Sequence, residues 1–336
     1  MLPFIDEILK HDSLSIVGLE KNTGKTECLK YVLDNLPVES KRIAVTSIGI
    51  DGETVDQVTR TQKPEISLRE GTYFGTSEMH YRQRRLVSEL IDVSDETTSL
   101  GRVVTARAVT GGKILLSGPS SASSLKRWMG QMRQHGIDLV IIDGALSRLS
   151  SASPAVSQSM ILATGAAYSA NISTLVQKTA HVVDLVNLDL TSRDNIDKLA
   201  SIDKGVWFVD DQGTLHDLNA LTSLSQEIHF DGVEHCSTLY VAGALVGSFL
   251  EKVRQNKNLR QVEIVVRDFT KVFVTPQQFK LFLKGGGRIS VMQRSKLIAV
   301  TVNPTSPSGY VLDSDTLCAK LSEAIGLPVY DLLKNK

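Results

Sequence analysis

Ser13-Leu14-Ser15-Ile16-Val17-Gly18-Leu19-Glu20-Lys21-Asn22-Thr23-Gly24-Lys25-Thr26 is the stretch from which the fold is read. Ser13–Val17 reads as a buried strand, and Lys25–Asn35 as the helix that follows it. A glycine-containing turn between them lets consecutive backbone N–H groups face phosphate oxygens. Gly24 permits close backbone approach, the Lys25 ammonium can bridge terminal phosphates, and Thr26 can ligate Mg²⁺. All three fall where a helix begins, so its dipole adds a field that favours negative charge. Gly18, Lys21, Asn22 and Thr23 complete the expected nucleotide-binding set. The strict phosphate-loop pattern wants Gly five residues before its Gly-Lys pair. Leu19 stands there and Gly18 is one residue early, so this is a longer-spaced variant.

A phosphate loop of this kind needs an acid at the end of a neighbouring strand. Leu139-Val140-Ile141-Ile142-Asp143-Gly144 supplies an apolar run, a carboxylate and a flexible residue. Asp143 is expected to hold Mg²⁺ directly or through water. Many parallel strands also end in Asp as a helix cap, so the pairing with the loop carries this assignment. Asp51, after a second strand at Arg42–Ile48, is the next candidate. It either orients metal or attacking water, or is a plain turn residue in Asp51-Gly52. Asp56 is a weaker alternative, and Lys63 before Pro64 could reach a second anionic group. The expected catalytic residues are therefore Lys25, Asp51 and Asp143, and the expected metal ligands Thr26 and Asp143. ATP and GTP both remain open, because no Asn-Lys-x-Asp base-reading motif is present.

Outward from the loop, short β-branched runs alternate with helical segments, the pattern of βα units around a mostly parallel sheet. Gly101–Ala108 and Lys113–Leu116, separated by Gly-Gly, read as a hairpin or two adjacent strands. Ser123–His135 and Asn171–Val186 read as helices, the second with Asn171 as its N-cap. Asp138–Ile142 and Met160–Ala163 are buried strands. Further strands are expected at Gly205–Val209, Thr238–Val241, Val262–Val266, Ile289–Val291 and Leu297–Val302, with helices at Gln277–Leu283 and Ser314–Ala324. The fold class is α/β: a P-loop NTPase with helices flanking a mostly parallel sheet, and a smaller C-terminal α/β block. A boundary near residue 225 gives residues 1–225 as the nucleotide-binding domain and 226–336 as the C-terminal block.

The 336 residues suffice for one large α/β domain or two of ordinary size. Lys plus Arg equals Asp plus Glu at 37 each, so global charge gives no support for nucleic-acid or membrane-surface binding. Arg82, Arg84 and Arg85 read as a solvated helix face. No run approaches the ~20 apolar residues of a membrane span, and Met1–Lys10 is not a signal peptide. Cys28, Cys236 and Cys318 are far apart and lack CxxC spacing, which suggests a reducing cytoplasm. His229, Asp231, Glu234, His235 and Cys236 superficially resemble a metal cluster, but their spacing matches no standard zinc pattern. Gly118-Pro119-Ser120-Ser121 precedes a helix and could bind an anion or simply cap it. Asn303-Pro304 reads as a plain turn, with contact to a base or a partner as the alternative.

Several segments together resemble one family. They are Gly18–Thr26, Val45–Glu53, Gly101-Arg102-Val103-Val104, Leu115–Pro119, Asp143–Arg148, Ala163–Ala167 and Val302-Asn303-Pro304. The chain resembles the P-loop subunit of the lysine 5,6-aminomutase reactivase, over most of its length and most strongly across residues 16–170. The resemblance implies a helper of an adenosylcobalamin-dependent aminomutase in lysine fermentation, partnered by a MutS-like ATPase subunit. ATP binding or hydrolysis would open the mutase and release damaged cobalamin, with Lys25, Thr26 and Asp143 handling nucleotide. The loop spacing is also similar to that of dethiobiotin synthetase, which implies an ATP-dependent ligase as the rival. Lys-Asn-Thr-Gly-Lys-Thr resembles the molybdopterin-guanine dinucleotide accessory ATPases. A nucleotide-dependent cofactor-insertion protein is therefore a third possibility, although the Cys/His metal motif usual there is not found.

Overall fold

The computed structural model describes residues 2–48, 64–145, 153, 156–225, 228–230, 238–259 and 261–334. The chain divides into two compact units. One comprises Met1–Thr179 with Lys296–Lys336, the other Ala180–Ser295. The boundary expected at residue 225 falls inside the second unit. Residues from 296 onward return to the first.

Among its described residues, the first unit holds a nine-stranded sheet. From one edge its strands are Val329–Asp331, Lys296–Asn303, Ser159–Gly165, Ser13–Gly18, Leu139–Ala145, Ile43–Ser47, Tyr73–Ser77, Gly101–Ala108 and Ser88–Thr98. The strands from Val329–Asp331 to Tyr73–Ser77 run parallel. The last two are added antiparallel. This is an α/β arrangement with a large, mostly parallel mixed sheet flanked by helices.

The central strands are apolar at successive positions because both faces are covered. Successive side chains point to opposite faces, and Leu139–Ile142 shows the consequence. Leu139 and Ile141 pack with Leu14, Ile16 and Val45 against Cys28, Leu29 and Val32 of helix Lys25–Asn35. Val140 and Ile142 pack with Ala44 on the other face, against Leu125, Trp128 and Met132 of helix Ala122–Gln134. Ser121 caps that second helix by accepting from the Ser124 N–H at 3.1 Å. Asn171 caps helix Ile172–Val186 as expected, accepting from the Thr174 N–H at 3.0 Å.

The hairpin expected across Gly111-Gly112 does not form. Gly101–Ala108 pairs with Tyr73–Ser77 and Ser88–Thr98, whereas Gly112–Ile114 pairs with Ile66–Leu68 in a separate two-stranded sheet. A β-carbon on Gly112 would lie 2.1 Å from the Arg85 carbonyl oxygen, so this glycine serves a close backbone crossing instead of a tight hairpin.

In the second unit, a six-stranded sheet runs Asp189–Leu190, Arg288–Val291, Glu263–Val266, Thr238–Val241, Val206–Val209, Leu215–Ala220. Its first four strands are parallel and its last two join antiparallel. Helix Pro276–Lys284 starts with a capping box between Thr275 and Gln278. Among the described residues, no helix is long and apolar enough to cross a membrane.

Helix Phe4–Ile8 buries Phe4, Ile5 and Ile8 in the first unit's core and leaves Glu7 at the rim. Glu7 accepts from Lys10 Nζ at 2.6 Å and also from Lys296 Nζ, at the start of an inner strand. These two ammonium groups, Lys10 first, hold its carboxyl near 2, down from 4.5. A carboxylate depressed in the folded state stabilises above its unfolded pKa and loses that contribution as pH falls through the folded value. Stability should therefore decline from about pH 5 to about pH 2, and Glu7→Gln should flatten part of that slope in urea titrations. Because the pair is exposed, added salt should shrink the difference.

Candidate functional site

The loop after Ser13–Gly18 is built from its own backbone demands. Leu19 is buried and its N–H donates to the Ala163 carbonyl at 2.9 Å, which fixes where the chain leaves the sheet. The Thr23 hydroxyl donates to the Glu20 carbonyl at 2.8 Å and closes the turn from inside. A β-carbon on Gly18 would sit 2.9 Å from that hydroxyl, so the early glycine makes room for the closure. Asn22 has φ 61° and Gly24 φ 89°. Asn tolerates this left-handed region better than most residues, and Gly occupies it without a steric penalty.

Helix Lys25–Asn35 starts directly from Gly24, with no side-chain cap on its first turn. Its leading N–H groups lack the usual Ser, Thr, Asp or Asn acceptor, and they carry the positive end of the helix dipole. Lys25 and Thr26 are its first two residues, both partly buried.

The carboxylate expected from Leu139–Ala145 arrives by register. Ile16 lies opposite Asp143 and Gly18 opposite Ala145 in the parallel pairing. Asp143 thus lies two residues before the end of its strand, beside the loop, and its Oδ1 is 3.0 Å from Lys25 Nζ. That oxygen is sealed from solvent and accepts no hydrogen bond, so the lysine contact is a charge pair without good alignment. A buried acceptor left in this condition costs free energy. A divalent cation or a better-aligned donor would satisfy it. This orphaned oxygen, beside an uncapped helix start and a lysine, fits a Mg²⁺–phosphate group. The residues that would hold the group are Asp143 and Thr26 for metal, with Lys25 and the N–H groups of the loop for phosphate.

Of the expected site residues, Gly18, Lys21, Asn22, Thr23, Gly24, Lys25 and Thr26 all lie on this loop and helix start, and Asp143 meets Lys25. Lys21 is exposed, and its N–H donates to the Glu20 carboxylate at 2.9 Å. Asp51, Asp56 and Lys63 lie outside the described residues, as do Asp231, Glu234, His235 and Cys236. Among the described residues no group of three or more His, Cys, Asp or Glu could hold a metal ion. Cys28, behind the loop, is a packed core thiol that burial pushes up to about 12. Gly118 seats against the neighbouring strand end, its N–H donating to Ser47 Oγ at 3.1 Å. A β-carbon there would lie 1.7 Å from the Ser47 carbonyl oxygen, so Gly118-Pro119 serves close packing.

One neighbour exceeds what the sequence suggested. Asn303, at the end of Lys296–Asn303, donates from Nδ2 to the Asn22 carbonyl at 3.1 Å. Asn303 is the last residue of its strand, its Oδ1 accepts from the Thr305 N–H at 3.1 Å, and the backbone turn falls later, at Pro307-Ser308. Its signal was a strand ending in Asn-Pro, but nothing in the sequence names residue 22 as its target.

No family model, curated protein or solved structure matches this chain.

Gly24→Ala tests the loop geometry directly. The new β-carbon would carry the left-handed strain and approach Asn303 Cβ to 3.0 Å. Equilibrium denaturation should show a loss of about 1–3 kcal/mol.

Proposed function

We propose that the chain binds a nucleoside triphosphate with Mg²⁺ at Gly18–Thr26 and hydrolyses it, as a P-loop NTPase. The observation that carries this is the 3.0 Å approach of Lys25 Nζ to the sealed Asp143 Oδ1 at the start of an uncapped helix. A purely structural ion pair would be expected to align the ammonium as a hydrogen-bond donor to the sealed oxygen. Here the lysine can exchange its partner for terminal phosphates, leaving Asp143 to the cation. Bound Mg²⁺ would neutralise charge on the phosphate oxygens. Backbone N–H groups of the loop orient the phosphates, Lys25 draws negative charge, and Asp143 fixes the metal's side of the site. Asp51 remains the proposed group for orienting attacking water.

The use of the nucleotide rests on the family resemblance. On that reading the protein is the ATP-handling subunit of a cytoplasmic reactivating factor. With a MutS-like ATPase subunit it would help an adenosylcobalamin-dependent aminomutase release damaged cobalamin. Differential affinity for the open and closed mutase would couple nucleotide state to release.

Binding of a fluorescent ATP analogue should require Mg²⁺ and be lost in Lys25→Ala. Asp143→Asn should retain the fold and lose hydrolysis by about 10²–10³-fold. Restored activity of a cobalamin-inactivated aminomutase, absent with Lys25→Ala, would support the reactivase role. Rescue that persists in that variant would refute the role given to the loop. Turnover with a small carboxylate and no partner protein would instead favour the ligase alternative.

A further inference from the structure

Asn303 is locked at both its backbone and its side chain. Its carbonyl accepts from the Ala166 N–H at 2.8 Å, and a β-carbon on Gly165 would lie 2.1 Å from that same oxygen. The segment beyond it is pinned as well: the Leu312 N–H donates to the Pro304 carbonyl at 2.9 Å, and the Tyr310 hydroxyl to the Ala166 carbonyl at 2.7 Å. On the side chain, Oδ1 is used by Thr305, which turns Nδ2 toward the carbonyl of Asn22.

That carbonyl belongs to the one peptide unit between two loop residues whose orientation matters most. In a planar trans peptide, C=O of one residue and N–H of the next point in opposite directions. Holding the Asn22 carbonyl toward Asn303 therefore turns the Thr23 N–H away from Asn303. Asn22 sits at φ 61°, a region in which a non-glycine residue needs support from its surroundings. Gly24, packed over Asn303 Cβ, is the second point of contact.

We propose that Asn303 is a positioning residue. It braces the Asn22–Thr23 peptide so that the loop presents its N–H groups to phosphate before ligand arrives. The phosphate part of this inference rests on the nucleotide-binding reading above; the brace itself does not. Preorganisation of this kind raises affinity by removing the ordering cost at binding.

Two variants separate the contacts. Asn303→Asp keeps an oxygen for the Thr305 N–H but loses the donor to Asn22, whereas Asn303→Ala loses both. Backbone order parameters measured on the ligand-free protein should fall at Asn22, Thr23 and Gly24 in both variants, from about 0.85 to below about 0.6, with those of the Ser13–Gly18 strand unchanged. In Asn303→Ala, affinity for Mg²⁺ with ATP and for Mg²⁺ with inorganic tripolyphosphate should fall by the same factor, about tenfold. Unchanged order parameters at Asn22, Thr23 and Gly24 in the Asp variant would overturn the brace. A loss confined to ATP, with tripolyphosphate unaffected, would also overturn it, because the residue would then serve the nucleoside part. Wild-type protein that binds neither ligand refutes the nucleotide reading, while the order-parameter comparison still decides the brace.

Discussion

The parallel pairing of Ser13–Gly18 with Leu139–Ala145 is the constraint on which the candidate site depends. It sets Ile16 against Asp143 and thereby brings a carboxylate near the end of its strand to Lys25. A slip of one residue would turn the Asp143 side chain to the opposite face of the sheet. The slip is opposed because Leu139 and Ile141 are fitted to one covered face and Val140 and Ile142 to the other, and exchanging them would disturb both packed layers. The electrostatic feature at the site is thus held in place by hydrophobic packing several residues away. A buried acceptor without a hydrogen bond is unfavourable on its own, and the surrounding sheet supplies the stability that keeps it there.

The loop's geometry has a second source. Ser13–Gly18 fixes where it begins and the first turn of helix Lys25–Asn35 fixes where it ends. Between them, the Thr23 hydroxyl and the left-handed residues Asn22 and Gly24 shape the turn. Thr23 spends its side chain on the loop itself, so its backbone is what it offers outward. Lys25 and Thr26 differ: they belong to the helix, and their side chains are free of that closing role. This division of labour explains why a spacing one residue longer than the strict pattern still forms a compact turn. Gly18 is used to accommodate Thr23.

Much of this was legible in the sequence because it is local. The strand–turn–helix of residues 13–35, the apolar run before Asp143 and the Asn171 cap each follow from a few neighbouring residues and a known periodicity. The non-local features were not legible. The Gly111-Gly112 turn allowed a hairpin or two adjacent strands, and its flanking strands instead join different sheets, with Gly112 close against the Arg85 carbonyl. Ser88–Thr98 is partly exposed and interrupted by bulges, so it lacks the continuous apolar signal of an inner strand. The return of Lys296–Asn303 beside Ser159–Gly165 is a tertiary choice that no run of residues announces. For the same reason Asn303-Pro304 read as a turn, whereas Asn303 ends a strand and its donor to Asn22 stayed hidden.

That return has a kinetic side. The hydrogen bond from Asn303 to Asn22 joins positions 281 apart in the chain, and the strand that carries Asn303 is followed by only one more strand in the sheet. Contacts of such long separation form late and slow folding, since loop-closure entropy is lost before they give anything back. On a ribosome, Asn22 would emerge 281 residues before the Asn303 that braces it. Until then the outer side of Ser159–Gly165 is a bare parallel edge, seven residues of unpaired backbone and buried-type side chains. The interval between making the loop and closing that edge is the period in which this chain is most exposed to misassembly.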